Sequence, residues 1–408
     1  MHFGWIIVAA CLLVGMSGYG TYYSFTLFYP YLIDEFGWSR AGISGAMSLG
    51  LIVYGLAALP MGWCVDRFGP RATIAIGGLL MGGGTALGAF VTELWHLYAL
   101  YGGISGIGMG AAWAPLVSTL SRWFEDRRGL AMGIGLLGGG TGTLVLAPIV
   151  QVLLGSMGWR EAYLWLGLGT AVVMVGGALL LRREPADMGL EPYGAGALAA
   201  RQAAARAAGK AEAPTLPVYT NLSAMVRTGV FWRMALTFGC WWFAGAIVFV
   251  QLAPFILEKG FDLGFAAAVV VAFSAGNGAG KVLVGLVSDR LGPRPSYQAA
   301  CLLAGLGMVG LAYAATPLTV VLSGIAFGFG FGGASPLLAT IAVGLFGTAA
   351  AGALMGAVLA IMGTVGAVGP LASGLVYDLT GSYAVAYLLG GAVFAVSVAL
   401  AATLRHRG

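Results

Sequence analysis

Charge is what this sequence has least of. Acidic and basic side chains together make up 9% of 408 residues, 59% are apolar, and mean hydropathy is +0.91. A chain of this size cannot clothe itself in a water-compatible surface from that supply, so its solvent is lipid. Cysteine is scarce as well. Cys11, Cys64, Cys240 and Cys301 stand in or beside apolar stretches without CxxC or Cys/His spacing, which speaks against a disulfide framework or a metal site. His2, His96 and His406 fall at termini or helix ends, and no midplane His/Asp/Glu cluster or Ser/His dyad appears, so an intramembrane enzyme is disfavoured. Gly138, Gly139, Gly140 and Gly142 lack the Lys and the preceding strand of a phosphate loop, which argues against nucleotide-driven pumping. No cofactor, metal or nucleic-acid partner is expected. The amino terminus has no basic n-region or small-residue cleavage site and reads as a retained first helix.

What the sequence does have is long apolar runs, each near the roughly 20 residues that one crossing needs. They fall at 4–31, 41–65, 72–92, 95–120, 129–154, 161–181, 231–256, 263–288, 295–314, 318–345, 350–376 and 383–404. The expected fold is therefore an all-α membrane protein of 12 transmembrane helices. It divides into a six-helix half at 1–182, a linker at 183–228 and a second six-helix half at 229–408. Alternate connections carry sixteen Lys and Arg on one side and three, Arg40, Arg160 and Lys259, on the other. Cytoplasmic loops retain such residues, so both termini and the linker are expected in the cytoplasm and the chain in the inner membrane. The Ala-rich run at 195–213, with Arg201, Arg206 and Lys210 followed by Pro214 and Pro217, reads as a solvated linker with some helix rather than a lipid-binding segment.

The two halves repeat one another. Gly62, Asp66, Arg67, Gly69, Pro70 and Arg71 return 223 residues later as Gly285, Asp289, Arg290, Gly292, Pro293 and Arg294. At the same displacement Gly129 to Gly133 returns as Gly352 to Gly356, and Ala162-Tyr163 returns one residue further on as Ala386-Tyr387. A parallel repeat of this kind surrounds a central path in transporters.

The doubled G-x-x-x-D-R-x-G-x-R pattern resembles the cytoplasmic loop signature of the major facilitator superfamily, over essentially the whole chain. That resemblance implies that Asp66, Arg67, Arg71, Asp289, Arg290 and Arg294 brace a cytoplasmic gate. Phe124-x-x-Arg127-Arg128-Gly129, Glu35-Phe36-Gly37-Trp38-Ser39-Arg40 and Pro185-x-Asp187-x-Gly189-Leu190-x-Pro192 are similar to segments of monocarboxylate transporters and oxalate/formate exchangers.

Lys281 is the most informative residue. Eight residues before Asp289, it sits roughly 12 Å inside an apolar core of about 30 Å. A cation near the midplane faces the bundle interior and marks a ligand or pathway. Asn277 stands one turn away on the same face and can orient a carboxylate without adding charge. No other formal charge falls deep in a helix, and one cation suits one carboxylate.

The monocarboxylate family carries a Lys where Tyr23 stands and an Asp and an Arg where Asn277 and Lys281 stand. Oxalate exchangers have a second cation in the eleventh helix, where this chain shows Ile361-Met362-Gly363. Tyr23, Thr26, Leu27, Trp113, Phe331 and Met362 are candidate lining residues, with Tyr22 and Thr26 sharing a face and Phe327 and Phe329 beside Phe331. Lys281 and Glu258 are the candidate proton carriers, Glu258 otherwise reading as a loop carboxylate paired with Lys259. The expected function is secondary transport of a short monocarboxylate such as lactate or pyruvate, with a proton as co-substrate. Organic-anion exchange and a non-transporting sensor are the alternatives.

Overall fold

A computed structural model describes residues 2–38, 40–196 and 221–404. Residues 197–213 of the Ala-rich run, with Arg201, Arg206 and Lys210, then Pro214 and Pro217, and Arg405, His406 and Arg407, lie outside the described residues. Within them the chain is helical, without strands. In order come α1 Gly4–Ser24, α2 Tyr29–Phe36, α3 Arg40–Leu87, α4 Leu94–Leu97, α5 Gly106–Met109, α6 Ala114–Trp123, α7 Arg128–Gly135, α8 Gly138–Met157 and α9 Trp159–Leu180. Then follow α10 Leu222–Val226, α11 Gly229–Glu258, α12 Leu263–Leu291, α13 Pro293–Tyr313, α14 Pro317–Phe346, α15 Ala351–Thr380 and α16 Ala384–Ala402. Side-chain caps mark several starts: Asp262 accepts from Phe265 N at 2.8 Å, Thr228 from Phe231 N at 3.2 Å and Asn221 from Ala224 N at 2.9 Å. Each satisfies a donor that the first turn leaves unpaired.

Among the described residues eleven helical stretches are long and apolar enough to cross a membrane, and the longest, Gly45–Phe90, has 46 residues. The runs at 41–65 and 72–92, read as two helices, are two helices joined at a kink within this stretch. Only Gly69 (φ 81°, ψ 169°) leaves helical geometry between them, and Pro70 follows it. Gly292 (φ 90°, ψ 155°) repeats the break between α12 and α13, again before a proline. Only glycine adopts this geometry without strain, and proline is suited to restart a helix. Two other runs are less regular than expected. The first is interrupted by a 3₁₀ turn, Phe25–Phe28. The fourth contains a π-helical stretch, Tyr98–Ser105, a 3₁₀ turn, Gly110–Ala112, and a break at Trp113 (φ −121°, ψ −67°). Its counterpart α14 is one helix of 30 residues.

The chain forms two compact units. The first comprises Met1–Asp126, Ile134–Ala211 and Thr348–Ala360; the second comprises Arg127–Gly133, Glu212–Gly347 and Ile361–Gly408. In the first, α1 packs on α8 and α9, and α3 on α9; in the second, α12 and α13 pack on α14, and α16 on α13 and α11. Val152, Val172, Leu306 and Leu318 are among the exposed side chains, as lipid solvation requires. The described start of the linker is ordered against the first unit. Glu184 and Asp187 form a capping box around Pro185–Met188. Tyr193 then donates from its N to Trp123 O at 2.9 Å and accepts at its O from Glu125 N and Asp126 N, both at 3.0 Å.

Candidate functional site

In the second unit, Asn277 and Lys281 are each 6% exposed, one turn apart on α12. Small residues set that burial. Gly276 and Gly280 lie against the backbone of Ile325 and Phe329 on α14, and Gly332 against the backbone of Asn277, so closely that a Cβ at any of them would collide. Backbones meet at this distance only where side chains are absent. On another side a Cβ at Gly133 of α7 would strike the Lys281 carbonyl, and one at Gly129 the Gly285 carbonyl. The Lys281 turn is thereby gripped by α14 and α7.

Phe331 of α14 is 3% exposed and belongs to an aromatic cluster that α11 completes. Trp241 stacks on it at 4.3 Å with an interplanar angle of 9°, and Trp242 and Phe249 lie at 5.9 and 5.3 Å. Phe327 also stacks on it, at 5.7 Å. Met362 on α15 is buried. The Trp241 indole N–H is buried without a hydrogen-bond partner among the described residues.

The first unit offers hydroxyls instead of a cation. Tyr19 and Tyr54 share a hydrogen bond between their hydroxyls at 3.1 Å. Half-buried Tyr23 stacks on Tyr19 at 6.4 Å, and Trp113 meets Tyr19 edge-on at 6.4 Å. The Trp113 indole N–H is another buried donor without a partner among the described residues. Tyr22 and Thr26 part company because the 3₁₀ turn changes the register. Tyr22 is buried and donates to Met47 O at 3.1 Å, whereas Thr26 is exposed and donates to Tyr23 O at 3.1 Å. Leu27 is half-buried.

Asp66 and Asp289 are more than loop anions. Asp289 accepts from the Gly129 and Leu130 N–H groups at 2.7 and 3.1 Å, capping the start of α7. Asp66 accepts from Gly352 and Ala353 N–H at 3.2 and 2.8 Å, capping the start of α15. A carboxylate here satisfies orphan donors and the positive end of the helix dipole. Asp66 is also paired with Arg122 at 2.7 Å. Arg71 donates twice to Leu179 O, at 3.1 and 2.6 Å, closing the end of α9. Arg67 lies over the rings of Trp63 and Phe68. Arg290 ends α12 in the exposed class, and half-buried Arg294 begins α13.

Glu258 is not paired with Lys259. It accepts from Ser382 Oγ at 2.6 Å and Tyr383 N at 3.0 Å, at the start of α16. Lys259 turns away to Ala312 O and Ala314 O at 3.0 and 2.8 Å, because two bare helix-end carbonyls bind an ammonium better than one solvated neighbour. Burial draws the Lys259 ammonium below its ordinary range, with the Glu258 charge opposing.

A model of the Major Facilitator Superfamily matches residues 10–358 and 258–408. The chain belongs to that superfamily. As one of its members it is a multi-pass membrane transporter and not an enzyme. Among its relatives, human monocarboxylate transporter 11 is 33% identical over 406 residues, covering 96% of this chain and 80% of the relative. Monocarboxylate transporter 13 of Bos taurus is 28% identical over 409 residues, covering 99% and 89%. Two solved structures share the superfamily's fold. The E. coli fucose:proton symporter FucP has a TM-score of 0.73 at 15% identity, covering 98% of this chain and 99% of that one. The human organic anion transporter MFSD10 has a TM-score of 0.71 at 15% identity, covering 98% and 100%.

Several residues of this superfamily member escaped sequence reasoning. Tyr54 was within reach, since it stands 223 residues before Asn277. Trp241 and Arg122 carried no comparable signal; Arg122 counted only as one more basic residue at a helix end.

Proposed function

We propose that the chain is a secondary active carrier of a short monocarboxylate of the lactate or pyruvate kind, moving together with a proton by alternating access. It crosses the inner membrane twelve times, α3 counting as two crossings, with both termini cytoplasmic and the halves 1–182 and 229–408 joined by the linker 183–228. The observation that carries this reading is the buried Lys281 beside Asn277, in a chain whose other formal charges lie toward helix ends. A monoanion neutralises that cation, whereas a dianion leaves one charge uncompensated in a low-dielectric interior. In the second unit Phe331 and Met362 are the proposed uncharged lining, and in the first unit Tyr23 and Trp113 are. Asp66 and Asp289 brace the gate by holding the starts of α15 and α7, and release them as the carrier changes state.

Lys281 is also the proposed proton carrier. A lysine releases a proton in protein surroundings where an arginine does not, and a proton bound with the anion lets the loaded site cross without net charge. Glu258 is the second candidate; its carboxylate is exposed and engaged at the start of α16.

The test is uptake of radiolabelled lactate into proteoliposomes, with and without an inward proton gradient and with and without internal counter-anion. Lys281→Met is expected to fold but to lose saturable uptake, and wild-type uptake by that variant ends the assignment. Oxalate should compete poorly. Lys281→Arg should retain counterflow and lose proton-driven accumulation. If Lys281→Arg accumulates lactate normally while Glu258→Gln does not, the proton resides on Glu258. Uptake that requires internal anion and ignores the proton gradient identifies an exchanger instead.

A further inference from the structure

The transport reading leaves one cavity of the first unit unused. At the break in α3, a pocket of about 270 Å³ is lined by Arg67, Gly69, Arg71, Arg182, Arg183 and Asp187, among others. Four arginines and one aspartate thus contribute to its lining. Helix capping accounts for two of them. Arg71 donates to Leu179 O, and Arg182 donates to Leu179 O and Leu181 O at 3.0 and 3.1 Å, where a helix C-terminus favours cations. It does not account for Arg183, which has no hydrogen bond among the described residues, or for Arg67, whose guanidinium lies over the Trp63 and Phe68 rings at 5.2 and 5.5 Å. Asp187 is partly engaged, accepting from Glu184 N at 3.3 Å.

The pocket mouth borders an apolar rim. Phe68 is 59% exposed, Trp63 49% and Leu179 61%. Cations beside outward-facing aromatic and aliphatic side chains at the ends of spanning helices suit a ligand with an anionic head and an apolar body. The pocket's volume, close to the lower end of the roughly 300 to 1,000 Å³ of small-molecule sites, leaves ample room for a phosphate headgroup.

We propose that this pocket binds the phosphate of an anionic phospholipid, with Arg67 and Arg183 as its principal ligands and the acyl chains lying along Phe68, Trp63 and Leu179. The site is separate from Lys281 and stands whether or not the transported solute is a monocarboxylate.

Native mass spectrometry of the full-length protein in detergent tests it, with phosphatidylglycerol and phosphatidylcholine as lipid probes and glycerol phosphate as the water-soluble one. Phosphatidylglycerol should be retained about tenfold more than phosphatidylcholine. Arg183→Gln and Arg67→Gln should each lower its retention about fivefold, the scale of one basic residue near an anionic surface. Asp187→Asn keeps the acceptor of the capping box, removes the single acidic charge, and should raise retention. Equal retention of the two lipids, or phosphatidylglycerol binding indifferent to Arg183→Gln and Asp187→Asn, overturns the proposal. Displacement of the lipid by millimolar glycerol phosphate also overturns it, because the site then takes a soluble phosphate. Thermal unfolding reports whether each variant is folded, and Asp187→Asn decides the matter if Arg183→Gln is not.

Discussion

One turn of α3 and its counterpart in α12 show the same frame carrying different chemistry. Gly356 lies against the Ala58 carbonyl just as Gly133 lies against that of Lys281, and both pairs are related by the 223-residue displacement. The backbone contact is conserved between the halves, yet position 58 is a buried Ala where position 281 is a Lys, and Tyr54 stands where Asn277 does. Duplication therefore preserved the glycine contact and let the chemistry diverge on side chains that leave the same turn. The two clasps differ in a similar way. Asp66 and Asp289 cap equivalent helices, but only the first half has an arginine at the position of Arg122; its counterpart is Leu345, 1% exposed.

That asymmetry predicts unequal losses. Asp66→Asn strands a guanidinium whose side chain is 8% exposed, and breaking such a pair costs about 3 kcal/mol. Replacing Arg122 by leucine, the residue at the equivalent position of the second half, removes the stranded charge. Thermal unfolding in detergent should therefore fall further for Asp66→Asn alone than for Asp66→Asn combined with Arg122→Leu, and equal falls would make Arg122 incidental. Where the halves agree, the losses should agree. Gly133→Ala and Gly356→Ala each push a methyl into a backbone carbonyl and should cost about 1–3 kcal/mol, alike within error. A large difference between them breaks the symmetry argument. The smallest effect belongs to Tyr54→Phe, which removes the hydroxyl bonded to Tyr19. It should change half-saturation for solute uptake by a factor corresponding to about 1 kcal/mol and leave the protein folded. Complete loss of uptake would give Tyr54 a weight comparable to that of Lys281.

The superfamily fold was legible because lipid imposes a coarse rule: apolar runs of sufficient length become helices, and a repeat in sequence becomes a repeat in backbone. Lys281 was legible for the same reason, since a cation among apolar residues has few places to stand. The interruptions were not. Their breakers are in the sequence, Pro30 just after the 3₁₀ turn at Phe25–Phe28 and Gly102-Gly103 inside the π-helical stretch at Tyr98–Ser105, but proline and glycine are common in spanning helices and do not say which turn changes register, so Tyr22 and Thr26 were not separated beforehand. Pairings remote in sequence were equally hidden. Glu258 reads as the partner of Lys259 next to it, while its actual partners, Ser382 and Tyr383, lie more than a hundred residues away.

The clasps also impose an order in time. Asp289 closes on Gly129, made 160 residues before it, so its partner already exists when it is synthesised. Asp66 must wait for Gly352, 286 residues later. At synthesis rates of roughly 5–20 residues per second, that wait is on the order of 15 to 60 s. Throughout that interval the nascent first half carries a carboxylate without its helix, and Arg122 is the one of its clasp partners already made. The arginine found in one half alone thus stands where an early-made acid most needs a temporary counter-charge.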